Sequence, residues 1–401
     1  MDINSSTNDG QAQILQNLFA QANIGDPTDH QDVQDIREHV VLVHGDLGTG
    51  ERLQGSKRSR SIETKEVRRL QPALYVFGLF HLLMACADAI WKMYIEPKEL
   101  RKDPNSLYQH ACRIRPHESN RIGSKPGFRL VHDLIHQFAT ARMLDIWRAK
   151  VQHRTPSHTS LKIFAASKPS WEFIVDLSFH LARHYITDSD SKSRWHASDG
   201  QVKDELFQNN SLMLARLLLY VELAHAMKHG DIGRVEATFL RWALIFKTVS
   251  KHKYSAVLIK TMNDFKYNYP PRLARAIRLN WLCNPTGRPD GFRAVDWLVE
   301  LMNLYTKVIY GSTGSTRTFE LVLKQSPLIE LFRHVHRLMQ DNLHVLHRTV
   351  RHARPDLRST IQVLRNLLEE SKAHERVPHR SNIKALFVTL VSMPVVETDT
   401  L

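Results

Sequence analysis

The feature that most constrains the fold is a change of residue pattern close to the N-terminal end of the chain. The run HVVLV, at residues 39–43, is rich in β-branched residues and ends in a glycine-rich turn, as is typical of a strand buried on both faces. A second run, ALYVF at 73–77, has the same character, and a charged helix is predicted between the two at Glu51–Arg69. This order predicts a parallel βαβ unit with strands at about 39–44 and 73–77.

Beyond Gly78 the apolar residues recur three and four positions apart, which is the period of amphipathic helices. The stretches with this pattern are His81–Tyr94, His132–Arg148, Glu172–Tyr185, Leu212–His229, Val235–Ser250, Val295–Tyr310, Pro327–His352 and Asp356–Ser371. The sequence therefore predicts a mainly α fold, in which a small parallel βαβ remnant accompanies a large helical body.

The domain organisation predicted from composition is one folded region between two flexible tails. Residues 1–37 are polar and are expected to form a flexible N-terminal tail, and residues 376–401 a flexible C-terminal tail. The single domain of residues 38–375 is expected to consist of the βαβ unit and the following helix (38–95), a helical insertion (96–290) and C-terminal helices (291–375).

Composition indicates the compartment in which the protein works and the kind of partner it binds. The three cysteines, Cys86, Cys112 and Cys283, are far apart and fit neither a disulfide framework nor a zinc pattern, which predicts a reducing compartment, the nucleus or the cytoplasm. The most apolar stretch, Tyr75–Trp91, is interrupted by His81 and Asp88, so no membrane association is expected. The formal net charge of +14 favours contact with DNA or another polyanion.

Two basic segments are candidates for binding nucleic acid. The predicted helix after the first strand carries Lys57, Arg58, Arg60, Arg68 and Arg69, and the segment Arg333–Arg358 includes Arg348, Arg351 and Arg354. Each segment fits a surface that follows a phosphate backbone, and each fits equally well the solvated face of a helix.

Asp46 is the acid whose position is most informative. It follows a predicted buried strand directly, and ligands and metals are usually held at the carboxyl edge of a parallel sheet. The alternative is a structural aspartate that caps the turn. The glycines around it resemble a phosphate-binding loop, but Glu51 and Arg52 stand where Lys and Ser/Thr would be needed, so no nucleotide cofactor is predicted.

Five blocks of the sequence, in order, carry a family resemblance. They are HVVLVHGDLGTGERLQ with SRSIE, LYVFGLFHLLMACADAIWKMYI, GDIGRVE, NPTGR and DWLVELMNLYTK. Over residues 35 to 355 the chain resembles a domain family of unknown function that is abundant in mushroom-forming fungi. These blocks in turn are similar to the later part of an RNase H-like (DDE-type) transposase domain.

The resemblance assigns roles to individual residues. Asp46 matches the second catalytic acid, at the end of a strand, and Glu300 matches the third, on a later helix; together they would bind Mg²⁺ or Mn²⁺. The segment Gly78–His81 is similar to a small-x-x-His motif of eukaryotic transposases, which usually has Cys or Asp in place of the glycine. Further residues of the matching blocks are His81, Asp88, Asp296, Asn303 and Lys307.

The chain departs from the RNase H-like pattern at its front. That fold has three strands before the second acid, and the first catalytic aspartate lies on one of them, whereas residues 1–37 contain no strand-like run. The leading hypothesis is therefore a transposase-derived protein, catalytically inactive or truncated, with nonspecific affinity for nucleic acid. The alternatives are a helical protein-interaction or scaffold module and an active metal-dependent nuclease. The oligomeric state stays open.

Overall fold

The computed structural model describes residues 3–29, 31–37, 39–185, 204–310, 318–345 and 356–380. The described strands are short and lie in three two-stranded sheets. The strands are β1 Ile24–Gly25, β2 Gln34–Asp35, β3 Val41–Gly45, β4 Ala73–Phe77, β5 Leu282–Cys283 and β6 Arg293–Ala294.

Helices make up most of the described structure, so the predicted mainly α class is confirmed. The helices are α1 Asn8–Gln21, α2 Leu47–Ser59, α3 Leu79–Tyr94, α4 Leu107–Ile114, α5 Ser119–Ser124, α6 Phe128–Arg154, α7 Leu161–Ala166, α8 Trp171–Tyr185, α9 Glu205–Lys228, α10 Ile232–Ala237, α11 Phe239–Thr248, α12 His252–Asn263, α13 Pro271–Asn280, α14 Val295–Tyr310, α15 Phe319–Gln325, α16 Ile329–Asn342 and α17 Arg358–Glu370.

Two compact units make up the chain, and the predicted single domain of residues 38–375 stays a prediction. The first unit comprises Met1–Leu82, Ala226–Gly233 and Ala256–Pro355, and the second comprises Leu83–His225, Arg234–Ser255 and Asp356–Leu401. Each unit is assembled from separate stretches of the chain, and boundaries of that kind leave no compositional trace in a linear sequence.

The βαβ element of the first unit matches the sequence prediction. Strands β3 and β4 pair in parallel, in a register that sets Val41 opposite Ala73 and Gly45 opposite Phe77. A parallel pair requires a crossover, and α2 supplies it. The parallel sheet expected from the two apolar runs is thus confirmed.

The N-terminal segment, expected to be a flexible tail, contains a packed helix. Helix α1 lies against α2, and the Ser56 hydroxyl donates a hydrogen bond of 2.7 Å to the Asn8 carbonyl. Leu15 and Phe19 are buried in one apolar cluster with Ala12, Ile36, Leu53, Leu70 and Ala73. This helix covers the apolar face of α2 that the small sheet leaves open, a requirement that the polar composition of the segment conceals.

Helix α2 ends ten residues before the predicted end at Arg69, since its last residue is Ser59. Gly55, Ser56 and Ser59 have low helix propensity, and the Ser56 hydroxyl also hydrogen-bonds back to the Arg52 carbonyl, which weakens the last turns. The charged run that follows forms turns up to Leu70, whose φ is +58°.

The second unit is built around the long helix α6, which buries apolar residues along most of its length. Near its C-terminal end Ile146 and Val151 pack with Leu177 of α8 and Leu214 of α9. Helix α17 packs against both α4 and α6. Across the described part of the chain, no helix is both long enough and apolar enough to cross a bilayer.

Candidate functional site

The candidate site lies in the first unit, at the carboxyl ends of β3 and β4. The two strand ends are joined because the Gly78 amide donates to the Gly45 carbonyl at 2.8 Å. The Tyr75 hydroxyl donates to the Asp46 carbonyl at 2.7 Å and fixes the first residue after the strand. Parallel pairing thus delivers Asp46 and the first turn of α3 to the same edge of the sheet.

Asp46 caps the N-terminus of α2. Its Oδ1 accepts hydrogen bonds from the Thr49 amide (2.7 Å) and the Thr49 hydroxyl (2.8 Å), and the Arg52 guanidinium lies 3.9 Å away. Partial burial acts to raise the pKa of Asp46, but the Thr49 hydrogen bonds, Arg52 and His81 outweigh it and leave that pKa lowered. Asp46 is therefore an anion, and its side chain is 48% exposed.

The glycines after Asp46 serve packing. Gly50 lies inside α2, where a Cβ atom would come within 2.5 Å of the Tyr75 ring, so only glycine allows the helix this close to β4. The Asp46 carboxylate already occupies the helix N-terminus, where a phosphate loop would hold its phosphate. The glycine pattern is thus explained by helix–strand contact.

Asp296, at the start of α14, caps the first turn of α3. Its Oδ1 accepts from the Phe80 amide at 3.1 Å, and its Oδ2 accepts from the His81 amide at 3.0 Å. The side chain is 4% exposed. A Cβ atom on residue 78 would lie 2.1 Å from Asp296 Oδ2. The Asp296 carboxylate therefore occupies the space that a Cβ atom at residue 78 would need.

His81 is the residue to which the acids converge. Its Nδ1 lies 2.9 Å from Asp296 Oδ2 and its Nε2 lies 3.9 Å from Glu300 Oε1. The hydrogen bond from Asp296 raises the pKa of His81; burial opposes this, and the charges of Asp296, Asp46 and Glu300 add to the increase. Asp46, His81, Asp296 and Glu300 are called the acid–histidine cluster below.

The cluster contains two kinds of carboxylate. Asp296 is buried, with both oxygens engaged by the protein, so it positions the His81 ring and the end of α3. Glu300, 50% exposed, and Asp46 face solvent with oxygens open to a ligand. The arrangement allows proton exchange at His81 Nε2, or binding of a cation between solvent-facing carboxylates.

The Mg²⁺ or Mn²⁺ predicted for Asp46 and Glu300 stays a prediction. In the described residues, no group of three or more His, Cys, Asp or Glu side chains is arranged to hold a metal ion. The His81 imidazole, whose pKa is raised, lies beside Glu300, with its Nε2 3.9 Å from Glu300 Oε1.

The other residues of the matching blocks have environments of their own. Asp88 belongs to the second unit, where its carboxylate forms ion pairs with Lys251 at 2.7 Å and with Lys92 at 3.7 Å. Asn303 and Lys307 are exposed on α14. Asp88 therefore serves a structural ion pair on the surface of its own unit.

The basic candidates differ in how far they are available to a ligand. Arg58 and Arg68 are exposed, and Arg60 and Arg69 are partly buried. Lys57 donates to the Ala73 carbonyl at 2.5 Å, and burial lowers its pKa, so it ties α2 to β4 and does not face solvent freely. Arg348, Arg351 and Arg354 lie outside the described residues.

Two residues near the cluster were missed by sequence reasoning. Trp281 is buried and donates from its indole to the Phe77 carbonyl at 2.8 Å, which satisfies the end of β4. His44 lies on β3 with a buried Nδ1 that has no hydrogen-bond partner in the described structure. Burial lowers the pKa of His44, although the Asp296 charge opposes this. The one sequence signal that could have identified His44 is its position in a predicted strand.

Comparison with known proteins identifies the family of the chain. The model of a family described as "Family of unknown function (DUF6589)" matches residues 1–352, which include every residue of the acid–histidine cluster and helix α1. No curated protein and no solved structure matches the chain. The chain belongs to the DUF6589 family.

Proposed function

We propose that this chain is a transposase-derived protein in which the acid–histidine cluster is catalytically inactive, and that it binds nucleic acid without sequence preference. The observation that carries the proposal is that Asp46 and Glu300, remote in the chain, both act on His81 at the carboxyl edge of a parallel strand pair. Their placement, after a strand and on a later helix, is the one the transposase resemblance implies.

The inactivity follows from how the carboxylates are used. Two-metal phosphodiester chemistry needs several carboxylate oxygens free to coordinate both ions. Here Asp296 directs its oxygens to the amides of α3 and to His81, and Asp46 directs Oδ1 to Thr49. The raised pKa of His81 favours its protonated form, and that form would repel a divalent cation beside Glu300. These contacts engage part of the carboxylate oxygen that two-metal chemistry requires, which supports an inactive cluster.

Nonspecific nucleic-acid binding is supported by charge. The net charge of +14 gives a polyanion a favourable interaction through release of its counterions. Arg58 and Arg68 are exposed on and just after α2, on the same βαβ element as Asp46. Guanidinium groups in such positions contact phosphates and carry no base readout by themselves.

The test of binding is its salt dependence. Fluorescence anisotropy with a labelled 30-base-pair duplex, repeated with an unrelated sequence, is measured between 50 and 200 mM salt. Affinity is expected to fall steeply with salt and to be equal for the two duplexes. The double variant Arg58→Gln/Arg68→Gln should reduce the slope of log K against log salt by about 2.

The matched control is Arg272→Gln/Arg275→Gln, which removes the same charge from exposed positions on α13 of the same unit. An equal loss of slope in the control would reject a surface centred on α2, and binding that is flat across the salt range would reject nucleic-acid binding.

Catalysis is tested separately. Supercoiled plasmid incubated with Mn²⁺ is expected to stay uncut. Nicking by the wild-type protein that disappears in both Asp46→Ala and Glu300→Ala would reject inactivity and favour the active nuclease.

A second candidate function, a self-associating interaction module, is supported by an exposed apolar face on the last helices of the first unit. This apolar helical face consists of Val299, Met302, Leu304, Phe319, Leu323, Leu328, Leu331, Phe332, Val335, Leu338, Met339 and Leu343. On α16 the exposed residues Phe332, Val335 and Met339 recur three and four apart, and the exposed Leu343 follows the end of the helix, so the apolar stripe of the helix faces solvent.

The occupant we propose for this face is a second copy of the chain. Between Phe319 and Asn342 the acids Glu320, Glu330 and Asp341 balance the bases Lys324, Arg333 and Arg337, so the segment is neutral in a strongly basic protein. Two chains that each carry a net charge of +14 repel one another over most of their surfaces. Two copies of this neutral face can meet without that repulsion. Its neutrality also makes it a poor surface for nucleic acid.

Light scattering after size exclusion tests the pairing. The wild-type protein is expected to elute as a dimer, and Leu331→Glu as a monomer, because the change buries a charge at the contact. Leu279→Glu, at an exposed leucine on α13, is the matched control and should remain dimeric. A monomeric wild-type protein, or a dimer that both variants leave intact, would reject this candidate.

A further inference from the structure

Three aromatic side chains of α8 are exposed at the surface of the second unit. Trp171 is 71% exposed, Phe179 is 63% exposed and Phe173 is 40% exposed. In the described part of the second unit, every exposed large aromatic side chain lies on this one helix. Rings of this size are usually buried, because they carry a large apolar area. Their collection on one exposed helix indicates a surface that contacts a partner.

The packing of α8 does not require these rings. Leu177 and Leu181 are buried in the apolar cluster at the C-terminal end of α6, and they anchor the helix. Trp171, Val175 and Phe179 recur four residues apart, so they follow a different face of α8. Eight residues of an α-helix span about 12 Å, so the rings at the two ends of this face can contact separate flat groups.

Positive charge surrounds the helix. From Lys150 to Tyr185 the chain has five lysines and arginines and two acids. Among the described residues, none of the five cations forms an ion pair with an acid. Elsewhere exposed arginines pair with acids, as Arg234 does with Glu222 at 2.6 Å. The five unpaired cations are Lys150 and Arg154 of α6, Lys162 of α7, Lys168 just before α8, and Arg183 of α8.

Two of these cations border the rings directly. Arg154 Cζ lies 5.9 Å from the centroid of the Phe173 ring. Arg183 is exposed and follows Phe179 by one turn of α8, so the two side chains are neighbours on the helix surface. Glu172, one of the two acids, lies in the first turn of α8, where the helix N-terminus offsets its charge. Rings and positive charge therefore occupy the same surface.

This combination selects the kind of partner. The partner must carry negative charge and must present flat groups that stack on aromatic rings. A second copy of the chain would bring like charges together. A duplex offers phosphates but keeps its bases stacked inside. A single strand offers a phosphate and an accessible base at every nucleotide.

We infer that the aromatic–basic surface of α8, formed by Trp171, Phe173 and Phe179 with Arg154 and Arg183, binds single-stranded nucleic acid. The bases stack on the rings and the cations contact the phosphates. Every base has a face that can stack, so this binding has no sequence preference. The inference deepens the nucleic-acid binding proposed above and rests on it for the class of partner. It assigns that binding a second surface, on the second unit.

Fluorescence anisotropy of the full chain with a labelled oligothymidine, which forms no duplex, tests the surface. Trp171→Ser/Phe179→Ser should weaken this binding by about tenfold or more, because each stacked base contributes to affinity. The same variant should bind the labelled 30-base-pair duplex as the wild-type protein does. Tyr267→Ser is the matched control: it removes a ring that is 69% exposed on the first unit, and it should change neither affinity.

Tryptophan fluorescence provides a second readout. Oligothymidine should quench part of the emission of the wild-type protein, because a base stacks on Trp171. Trp171→Phe keeps an aromatic ring at this position, so it should retain most of the affinity and lose that quenching. Quenching that persists unchanged in Trp171→Phe would overturn the inference.

The outcomes separate this surface from the one proposed on α2. An oligothymidine affinity that Trp171→Ser/Phe179→Ser leaves unchanged, or that Tyr267→Ser lowers equally, would overturn the inference and leave duplex binding by α2 standing. Ring-dependent binding of oligothymidine without any binding of duplex would support the inference and reject the surface on α2. Phosphatidylserine vesicles test a membrane as the partner. Ring-dependent binding to these vesicles, with no binding of oligothymidine, would overturn the inference.

Discussion

The two units each contain an aspartate–histidine pair with nearly the same geometry and opposite electrostatics. In the first unit His81 Nδ1 lies 2.9 Å from Asp296, and in the second His374 Nδ1 lies 2.8 Å from Asp145. The hydrogen bond to Asp296 raises the pKa of His81, whereas burial lowers the pKa of His374. The aspartate alone therefore does not determine whether its histidine is charged.

The surroundings explain the difference. His81 is 24% exposed, and two further acids, Asp46 and Glu300, act on it. His374 is 0% exposed at its side chain, and the charges of Arg142 and Arg148 act on it against that of Asp145. Solvent access and the sign of the neighbours thus make one pair a candidate functional site and the other an internal support.

The largest effect is expected when the buried pair is broken. Asp145→Asn removes the carboxylate of His374 and the buried one of Arg148, which keeps only the more exposed Glu375 and Glu369, and should lower the free energy of unfolding by about 3–5 kcal/mol. Urea unfolding followed by circular dichroism measures it, with Asp133→Asn, a partly exposed aspartate of the same helix, as control. A loss of unfolding free energy no greater than that of the control would contradict the assignment of Asp145 as a residue that stabilises the second unit.

A smaller loss is expected for the exposed pair. Asp296→Asn turns one acceptor of the α3 amides into a donor, and should cost about 1–3 kcal/mol, less than Asp145→Asn because water reaches His81. The same unfolding experiment applies. If Asp296→Asn lowered the free energy of unfolding more than Asp145→Asn does, the claim that solvent access distinguishes the His81 pair from the His374 pair would be wrong.

The two histidines should give stability opposite dependences on pH. His81 binds a proton more tightly in the folded state, so its contribution is complete below pH 6.5 and is lost as pH rises through its raised pKa. His374 has a lowered pKa, so its contribution is complete above pH 6.5 and is lost as pH falls. His110, with a pKa of about 3, adds to the acid side.

The variants His81→Gln and His374→Gln separate these two dependences. His81→Gln should reduce the loss of unfolding free energy as the pH rises above 6.5. His374→Gln should reduce the loss of unfolding free energy as the pH falls below 6.5. Stability curves measured from pH 5 to pH 9 check this, and a His81→Gln curve that parallels the wild-type curve above pH 6.5 would contradict the raised pKa.

The smallest effect is expected at the surface. Glu300→Gln removes an exposed charge 3.9 Å from His81 Nε2, so it should lower the pKa of His81 while changing the free energy of unfolding by about 0.5 kcal/mol or less. Glu320→Gln, in the first turn of α15, is the control. A stability loss as large as that of Asp296→Asn would show that Glu300 is a structural residue.

Local patterns were sufficient to predict the elements around the candidate site. The β-branched runs specified β3 and β4, because a strand between glycines and prolines has few alternatives, and the period of Val295–Tyr310 gave α14 to the residue. The mainly α class follows from the remaining periods. The hydrogen bond from Lys57 to the Ala73 carbonyl could not be predicted from the sequence, because it depends on the position of a later strand.

Long-range polar contacts were beyond sequence reasoning. Asp145 and His374 are 229 positions apart, and Asp296 and His81 are 215 apart, so neither pair leaves a local spacing to recognise. The role of Asp296 as a cap of α3 depends on Gly78, whose missing Cβ makes room for the carboxylate. Packing of that kind is specified by the whole fold, and one residue position carries little of it.

The most direct test of the account is nuclear magnetic resonance titration of the His81 ring, assigned with His81→Gln, with and without Mg²⁺ or Mn²⁺. The central claim is that the acids at the strand ends raise the pKa of His81 and hold no divalent metal. We expect the pKa of His81 to lie above 6.5 and millimolar Mg²⁺ to leave its titration curve unchanged. A His81 pKa that falls well below 6.5 when Mg²⁺ is added would contradict it, because the acids would then hold a divalent metal.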